Sequence, residues 1–218
     1  MRTTRNTRGQ KKKGFTLIEL VMAIAIMAVV SITVIVLVNP INVFREARDS
    51  QRIADVEQMN RVMGLYSANI GNPSASECDN KCYVGLGSGT TMLNQQGLAI
   101  PRCGQRYSAT TNNTTVTSTV QAIDGTGWVP IDLRPMSESI GVPIAGWPID
   151  PKTVVVTNNS TSSPQVIVTS SQYYSFACLN GGWEFTARLE SARYASSNAE
   201  TDGGTDLRLY EVGTNVGL

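Results

Sequence analysis

The first 70 residues show the clearest pattern of hydrophobic and polar positions in the chain. Residues 15–38 form an apolar run of 24 positions that contains a single charged residue, Glu19. At about 1.5 Å per residue, a helix of this length spans about 36 Å, which is enough to cross a hydrocarbon core of about 30 Å. The run predicts a membrane-spanning helix. Pro40, which lacks an amide hydrogen and disfavours helix at Asn39, predicts a kink or break there.

Residues 39–71 show the pattern of an amphipathic helix, with one apolar face and one polar face. Gly71 and Pro73 predict the end of this helix. Apolar or small side chains recur at spacings of three, four and seven, which predicts one packed stripe. With the polar Asn60 among them, they are Val43, Ala47, Ala54, Ile53, Val56, Asn60, Met63 and Ser67 or Ile70. The remaining positions are charged or polar and predict a solvated face with pairs such as Arg45–Asp49 and Glu57–Arg61. They include Arg45, Glu46, Arg48, Asp49, Arg52, Asp55, Glu57, Gln58 and Arg61.

From residue 72 the sequence favours strands and turns. Residues 173–179 and 183–189 alternate apolar and polar side chains around Asn180-Gly181-Gly182, which predicts a hairpin. Residues 153–157 and 165–169 predict a second hairpin, and the Thr/Asn-rich segment 110–119 predicts an exposed loop. We therefore predict an α+β fold, in which a long N-terminal helix lays its second half on an antiparallel sheet.

The distribution of charge narrows the classes of function. Residues 1–14 hold six of the 18 Lys and Arg residues and no acid, whereas residues 15–218 carry 12 basic and 17 acidic residues. A net charge of −5 on that part argues against nucleic-acid binding through a basic face of the head. The basic arm favours a cytoplasmic N-terminus and export of the remainder.

The composition also argues against catalysis. The chain has no histidine, which removes Ser-His, Cys-His and His-metal mechanisms. No phosphate-binding loop, dinucleotide motif or nucleophile elbow is present. We predict that the protein is not an enzyme, and turnover by a membrane-anchored exported domain is the alternative.

Two ordinary explanations of the N-terminus leave features unexplained. A secretory signal peptide has an apolar core of 7–15 residues and a small-residue cleavage site, but this run is longer and no such site precedes Asn39. A plain signal anchor fits the length and the flanking charge. It gives no reason for Glu19. A carboxylate inside an apolar span raises the free energy of membrane insertion by a few kcal/mol, so a charged residue at such a position indicates a function.

Residues 11–20, with the sequence KKKGFTLIEL, resemble the class III signal of type IV pilins and type II secretion pseudopilins. The shared features are a basic leader that ends in glycine, a following aromatic residue, the Thr-Leu-Ile-Glu sequence and an uncharged helix. The resemblance implies that a prepilin peptidase cleaves between Gly14 and Phe15 and methylates the new amino group of Phe15. The apolar helix would then remain in the mature protein.

The same resemblance implies the domain organisation and a role for Glu19. Residues 1–14 would be a cleaved leader, 15–38 a transmembrane and filament-core helix, 39–71 its amphipathic continuation, and 72–218 a β-rich head with loops and a tail. The cationic amine of Phe15 in one subunit would neutralise Glu19 of a neighbouring subunit, because each charge is costly alone in an apolar core.

The resemblance further implies a structural subunit, a pilin, of a type IV pilus-like filament. The precursor would span the cytoplasmic membrane once, and the mature form would lie in an extracellular or periplasmic filament. Its partners would be copies of itself, other minor pilins, prepilin peptidase, the inner-membrane platform protein and an assembly ATPase. A pseudopilin of a type II secretion system, a minor pilin for DNA uptake, and a tip adhesin that binds through residues 110–119 are the alternatives.

Four cysteines and an acidic tail offer further candidate sites. Cys78, Cys82, Cys103 and Cys178 allow three disulfide pairings, of which we favour Cys78–Cys82 with Cys103–Cys178 over a four-thiolate zinc site. Some pseudopilins bind calcium near their C-terminal region, which makes Asp202 and Asp206 calcium candidates here. A solvated Asp-Gly turn is the favoured alternative, and we predict no other cofactor.

Overall fold

The computed structural model describes residues 14–73, 81–87, 107, 114–153 and 172–218. The chain divides into two compact units, Met1–Val43 and Phe44–Leu218, and each is described by itself.

Helix α1, Leu17–Val38, makes up the described part of the first unit together with the residues beside it. It begins at Thr16, whose Oγ1 accepts the backbone N–H of Glu19 at 3.3 Å, as expected of an N-cap threonine. It ends at Asn39, whose φ of 46° and ψ of 76° lie in the left-handed region. The break predicted beside Pro40 is therefore confirmed, and Pro40 is the first residue of the next helix, where a missing N–H costs nothing.

Helix α2, Pro40–Asn69, continues through the second unit and buries one stripe of side chains there. The stripe contains Asp49, Arg52, Val56, Met59, Val62, Met63 and Tyr66, at spacings of three and four. The prediction was right for Val56 and Met63 and wrong for Val43, Ala47 and Ala54, which are exposed. The helix ends where the backbone N–H groups of Ile70 and Gly71 both donate to the carbonyl of Tyr66, with Gly71 at a φ of 132°.

The second unit contains a five-stranded sheet in the order β2-β1-β3-β4-β5. The strands are β1 Lys81–Gly85, β2 Thr114–Ser118, β3 Tyr174–Leu179, β4 Gly182–Arg188 and β5 Leu209–Gly213. Four strands pair in antiparallel fashion, and β2 pairs with β1 in parallel. The predicted α+β class is confirmed, with a sheet that is mostly antiparallel.

Strand β2 corrects the prediction that residues 110–119 form a loop. Its five residues pair with β1 from Lys81↔Thr114 to Gly85↔Ser118. Threonine and valine are β-branched and suit a strand, so the local composition was compatible with pairing. The low-complexity criterion missed this, because the partner strand lies about thirty residues away in the sequence.

The hairpin predicted around Asn180 is confirmed. Strands β3 and β4 are joined by Asn180 and Gly181, whose φ values of 53° and 81° are both positive, and Leu179 pairs with Gly182. Asn-Gly is the residue pair that this two-residue turn favours. Gly182 itself belongs to β4. The second predicted hairpin, 153–157 and 165–169, lies outside the described residues except for Thr153.

The two faces of the sheet are both buried. One face packs against α2, with Phe176 and Phe185 in ring contact at 4.8 Å between centroids. Trp128 and Trp147 join this core and contact Phe185. Gly85 is required there, because a Cβ on it would lie 2.9 Å from the ring of Trp128.

The opposite face forms a smaller core that the alternation pattern did not predict. Its members are Cys82, Val84, Leu86, Tyr107, Tyr173, Ala177 and Leu218. The polar residues of β3 and β4 that alternation would place in solvent are buried here, including Ser175, Glu184 and Thr186. Short helices complete the described head: a 3₁₀ turn at Arg134–Glu138, α3 at Ala192–Tyr194 and a π-helical turn at Ala195–Ala199.

Candidate functional site: the N-terminal segment and the stem helix

The predicted processing and assembly residues are neighbours at the start of α1. Gly14, Phe15 and Thr16 precede the helix, and Glu19 lies in its first turn. Glu19 and Phe15 are both exposed, Phe15 to 83%. A carboxylate in the first turn of a helix interacts favourably with the helix dipole. Cleavage between Gly14 and Phe15, methylation of Phe15 and the pairing of Glu19 stay predictions.

From Leu17 to Val34, the surface of α1 is apolar apart from Glu19 and is not buried within the chain. Among the described residues, one helix is long and apolar enough to cross a membrane: its window Leu17–Val34 has a mean hydropathy of 2.6, and none of it is buried. The hydroxyl groups of Ser31 and Thr33 donate to the carbonyls of Met27 and Val29 within the helix. Polar groups that are satisfied within the helix are compatible with an apolar environment.

The second unit holds α2 to the head through a buried network around Arg52, which we call the Arg52 network. The Arg52 guanidinium donates to both carboxylate oxygens of Asp150, at 2.7 and 2.9 Å, and to Asp49 at 2.8 Å. It also forms an ion pair with Glu190 at 2.7 Å. Arg48 donates to both oxygens of Glu190, at 2.8 and 2.6 Å.

Asp49 and Arg52 were wrongly predicted to lie on the solvated face of the helix. The side chains of Asp49 and Arg52 are fully buried, because the Asp150 turn and the segment that follows β4 cover them. Asp49 also accepts the backbone N–H groups of Glu190 and Ser191, at 2.6 to 3.0 Å. A prediction from helical periodicity assigns charged residues to the exposed face. Burial of Arg52 is favourable only because of its partner carboxylates, Asp150 and Glu190, which lie about 100 and 140 residues away in the sequence.

The network shifts the pKa values of Glu190 and Arg52. The hydrogen bonds from Arg48 lower the pKa of Glu190 to about 2; burial opposes this, and contact with Arg52 supports it. Burial alone would lower the pKa of Arg52, but the hydrogen bonds and charges of Asp150, Glu190 and Asp49 raise it. Glu190 and Arg52 are therefore both charged at neutral pH.

Three aromatic side chains of the sheet also donate to acceptors on α2. The Tyr174 hydroxyl donates to Asp55 at 2.9 Å, and Trp183 Nε1 donates to Asn60 at 2.9 Å. The Tyr210 hydroxyl donates to Glu57 at 3.2 Å. Each of β3, β4 and β5 thus contributes one hydrogen bond that fixes the rotation of α2 on the sheet.

The cysteine prediction is covered only in part by the described residues. Cys82 on β1 and Cys178 on β3 are buried, at 7% and 1% exposure, and neither is a free thiol. Cys78 and Cys103 lie outside the described residues. The pairing Cys78–Cys82 with Cys103–Cys178 stays a prediction.

The two calcium candidates are occupied by other contacts. Asp202 accepts the backbone N–H groups of Gly204 and Glu211, at 2.9 and 2.7 Å. Asp206 forms an ion pair with Arg208 at 2.6 Å. Within the described ranges, no group of three or more His, Cys, Asp or Glu side chains could hold a metal ion. Calcium binding at these residues stays a prediction.

Comparison with known proteins agrees with the features of the N-terminal segment. A family model described as the prokaryotic N-terminal methylation motif matches residues 9–35. No curated protein and no solved structure matches the chain. The motif is the class III signal peptide of type IV pilins and pseudopilins, a family of structural and non-enzymatic proteins. Over residues 9–35 the chain is therefore similar to the N-terminal signal of type IV pilin-like and pseudopilin precursors, and its apolar helix fits a membrane-anchored precursor.

Proposed function

We propose that the mature protein is a structural subunit, a pilin, of a type IV pilus-like filament. The precursor spans the cytoplasmic membrane once, with residues 1–14 on the cytoplasmic side. Prepilin peptidase removes this leader and methylates Phe15. The platform protein and the assembly ATPase of the inner membrane then transfer the subunit into the filament.

The uncovered apolar helix is the observation that supports this proposal. Ile18, Ile24 and Met27 are exposed to between 57% and 66%, and no residue of Leu17–Val34 is buried within the chain. Apolar surface of this extent is unfavourable in water. A membrane and a bundle of identical helices are both apolar surroundings, so transfer from one to the other exposes little of it to water.

Glu19 supports an ordered bundle over unspecific aggregation. It is the single charged residue in α1, and no ion pair to it occurs in the part of the chain that the structure describes. Cleavage after Gly14 would create a cationic amine on Phe15. We infer that this amine pairs with Glu19 of a neighbouring copy, because one axial offset between helices then satisfies both charges.

The proposal is tested with Glu19→Ala and Glu19→Gln in cells that assemble the filament, with Glu138→Gln as the matched control. Glu138 is an exposed glutamate of the head. We expect the mass and N-terminal sequence of both Glu19 variants to show a start at methylated Phe15, and sheared filaments to fall at least tenfold. The control should assemble normally.

Two results would contradict the proposal. Native polymer whose subunits still begin at Met1 would exclude processing as its basis. Normal amounts of filament from both Glu19 variants would exclude the pairing. The abundance of the subunit in surface filaments distinguishes a major pilin from a minor pilin or a secretion pseudopilin, which share the same N-terminal chemistry.

A further inference from the structure

Two buried glutamates face each other on the side of the sheet away from α2. Glu184 on β4 and Glu211 on β5 are each 1% exposed. Thr186 pairs with Glu211 and Glu184 pairs with Gly213, so the two glutamates occupy diagonal positions on the same face of neighbouring strands.

Each glutamate has one carboxyl oxygen that is satisfied by the backbone. Glu184 Oε2 accepts the N–H of Leu218 at 3.1 Å, and Glu211 Oε2 accepts the N–H of Asp206 at 2.9 Å. The Oε1 atom of each receives no N–H or O–H group from the other described residues. Both Oε1 atoms are buried without a hydrogen-bond partner, and a carboxylate has no donor to offer to the other. A proton on one carboxyl group would let that group donate to its neighbour.

The surrounding charges favour that proton. The ionisable group that faces the pair from the turn before β5 is Asp202, which is also acidic. Burial first, and then Glu211, raises the pKa of Glu184 to about 9, while the hydrogen bond from the Leu218 N–H opposes this rise. Burial likewise raises the pKa of Glu211. Two carboxylates that lie together without a cation cannot both ionise at low cost.

Glu184 of the pair is contacted by residues 214–218, at the end of the sequence given. The N–H groups of Thr214 and Asn215 donate to the carbonyl of Trp183, at 3.0 and 3.3 Å. Leu218 is 4% exposed and packs in the smaller core, where its N–H contacts Glu184. We propose that Glu184 and Glu211 share one proton in the folded head, and that detachment of residues 214–218 from the sheet is coupled to release of this proton.

This coupling has a defined dependence on pH. When residues 214–218 detach, the Glu184 carboxyl group meets water and its pKa returns to the ordinary value of about 4.5. The closed form holds one proton more than the open form between that value and about 9. The ratio of open to closed molecules therefore rises about tenfold for each pH unit in that range and levels off above it. The chain has no histidine, so few other groups titrate in this window.

The test measures amide hydrogen exchange of residues 215–218 in the full chain in detergent micelles from pH 6 to pH 9. Protection factors divide out the intrinsic effect of pH on exchange. We expect them to fall about tenfold per pH unit in the unaltered protein. In Glu184→Gln the side-chain amide donates a hydrogen bond in place of the protonated carboxyl group and does not titrate. The protection factors of this variant should therefore stay nearly constant from pH 6 to pH 9. Glu138→Gln should behave like the unaltered protein.

Infrared spectroscopy provides a second measurement that does not depend on a variant. At pH 7 we expect the C=O stretch of one protonated carboxyl group, which both Glu184→Gln and Glu211→Gln remove. Absence of that band would overturn the proposal. Protection factors that change with pH equally in Glu184→Gln would overturn it too, as would a calcium requirement for protection at pH 7, since a cation would then replace the proton.

Discussion

Helices α1 and α2 follow one another in the sequence, yet their side chains differ in burial and in pairing. The apolar side chains of α1 are exposed and its charge is unpaired among the described residues, whereas α2 buries apolar side chains and pairs a buried charge. Ile24 on α1 is 57% exposed, whereas Met59 on α2 is fully buried. Glu19 has no ion pair among the described residues, whereas Arg52 contacts three carboxylates. A helix whose surface is satisfied within the chain serves the fold, and one whose surface is not satisfied requires a partner outside the chain.

The Arg52 network gives the largest expected effect within this comparison. Arg52→Ala leaves Asp49 and Asp150 buried without their cation, which should lower the free energy of unfolding by about 3–5 kcal/mol. Urea unfolding of the detergent-solubilised protein measures this. Arg61→Ala is the control, because Arg61 is 73% exposed and lies 3.9 Å from Glu57, so it should change the free energy of unfolding by less than about 1 kcal/mol. Equal effects of the two substitutions would contradict the assigned role of burial.

A pair of truncations compares the apolar surfaces of the two helices directly. Met59→Ala removes a fully buried side chain and should lower the free energy of unfolding of the head by about 2–5 kcal/mol. Ile24→Ala removes an exposed one and should change it by no more than about 0.5 kcal/mol. In filaments we expect Ile24→Ala to lower resistance to dissociation by detergent. Loss of head stability in Ile24→Ala would show that α1 packs on its own chain.

Acid should weaken the head through Glu190. Its pKa is about 2 in the folded head and about 4.5 when unfolded, so the folded state favours the ionised form. The contribution to stability is complete above the unfolded value and is lost as the pH falls through 2. From pH 5 to pH 3 we expect a loss of about 2 kcal/mol from this group. The measurement is the free energy of unfolding against pH, and the slope should be smaller in Glu190→Gln.

Much of the fold and of the N-terminal site could be predicted because the signals are local. The uncharged run after Phe15, the isolated Glu19, the break at Asn39 and the turn at Asn180-Gly181 each depend on a few adjacent residues. Backbone sterics and hydropathy act over such distances, so the sequence alone indicates them. Strand β2 escaped prediction because its pairing with β1 depends on residues far away in the chain.

The sequence by itself determined that an apolar helix with one acidic residue follows a basic segment, because length, hydropathy and the spacing of charges are sufficient to define these features. That the basic segment is a cleaved leader is implied by its resemblance to the class III signal. Only the tertiary structure decided which charged residues are buried. Arg52 and Arg61 have the same side chain on the same helix, yet one contacts Asp49, Asp150 and Glu190 and the other lies at the surface. The cost of burying a charge depends on the partners that folding brings to it, and no local pattern specifies them.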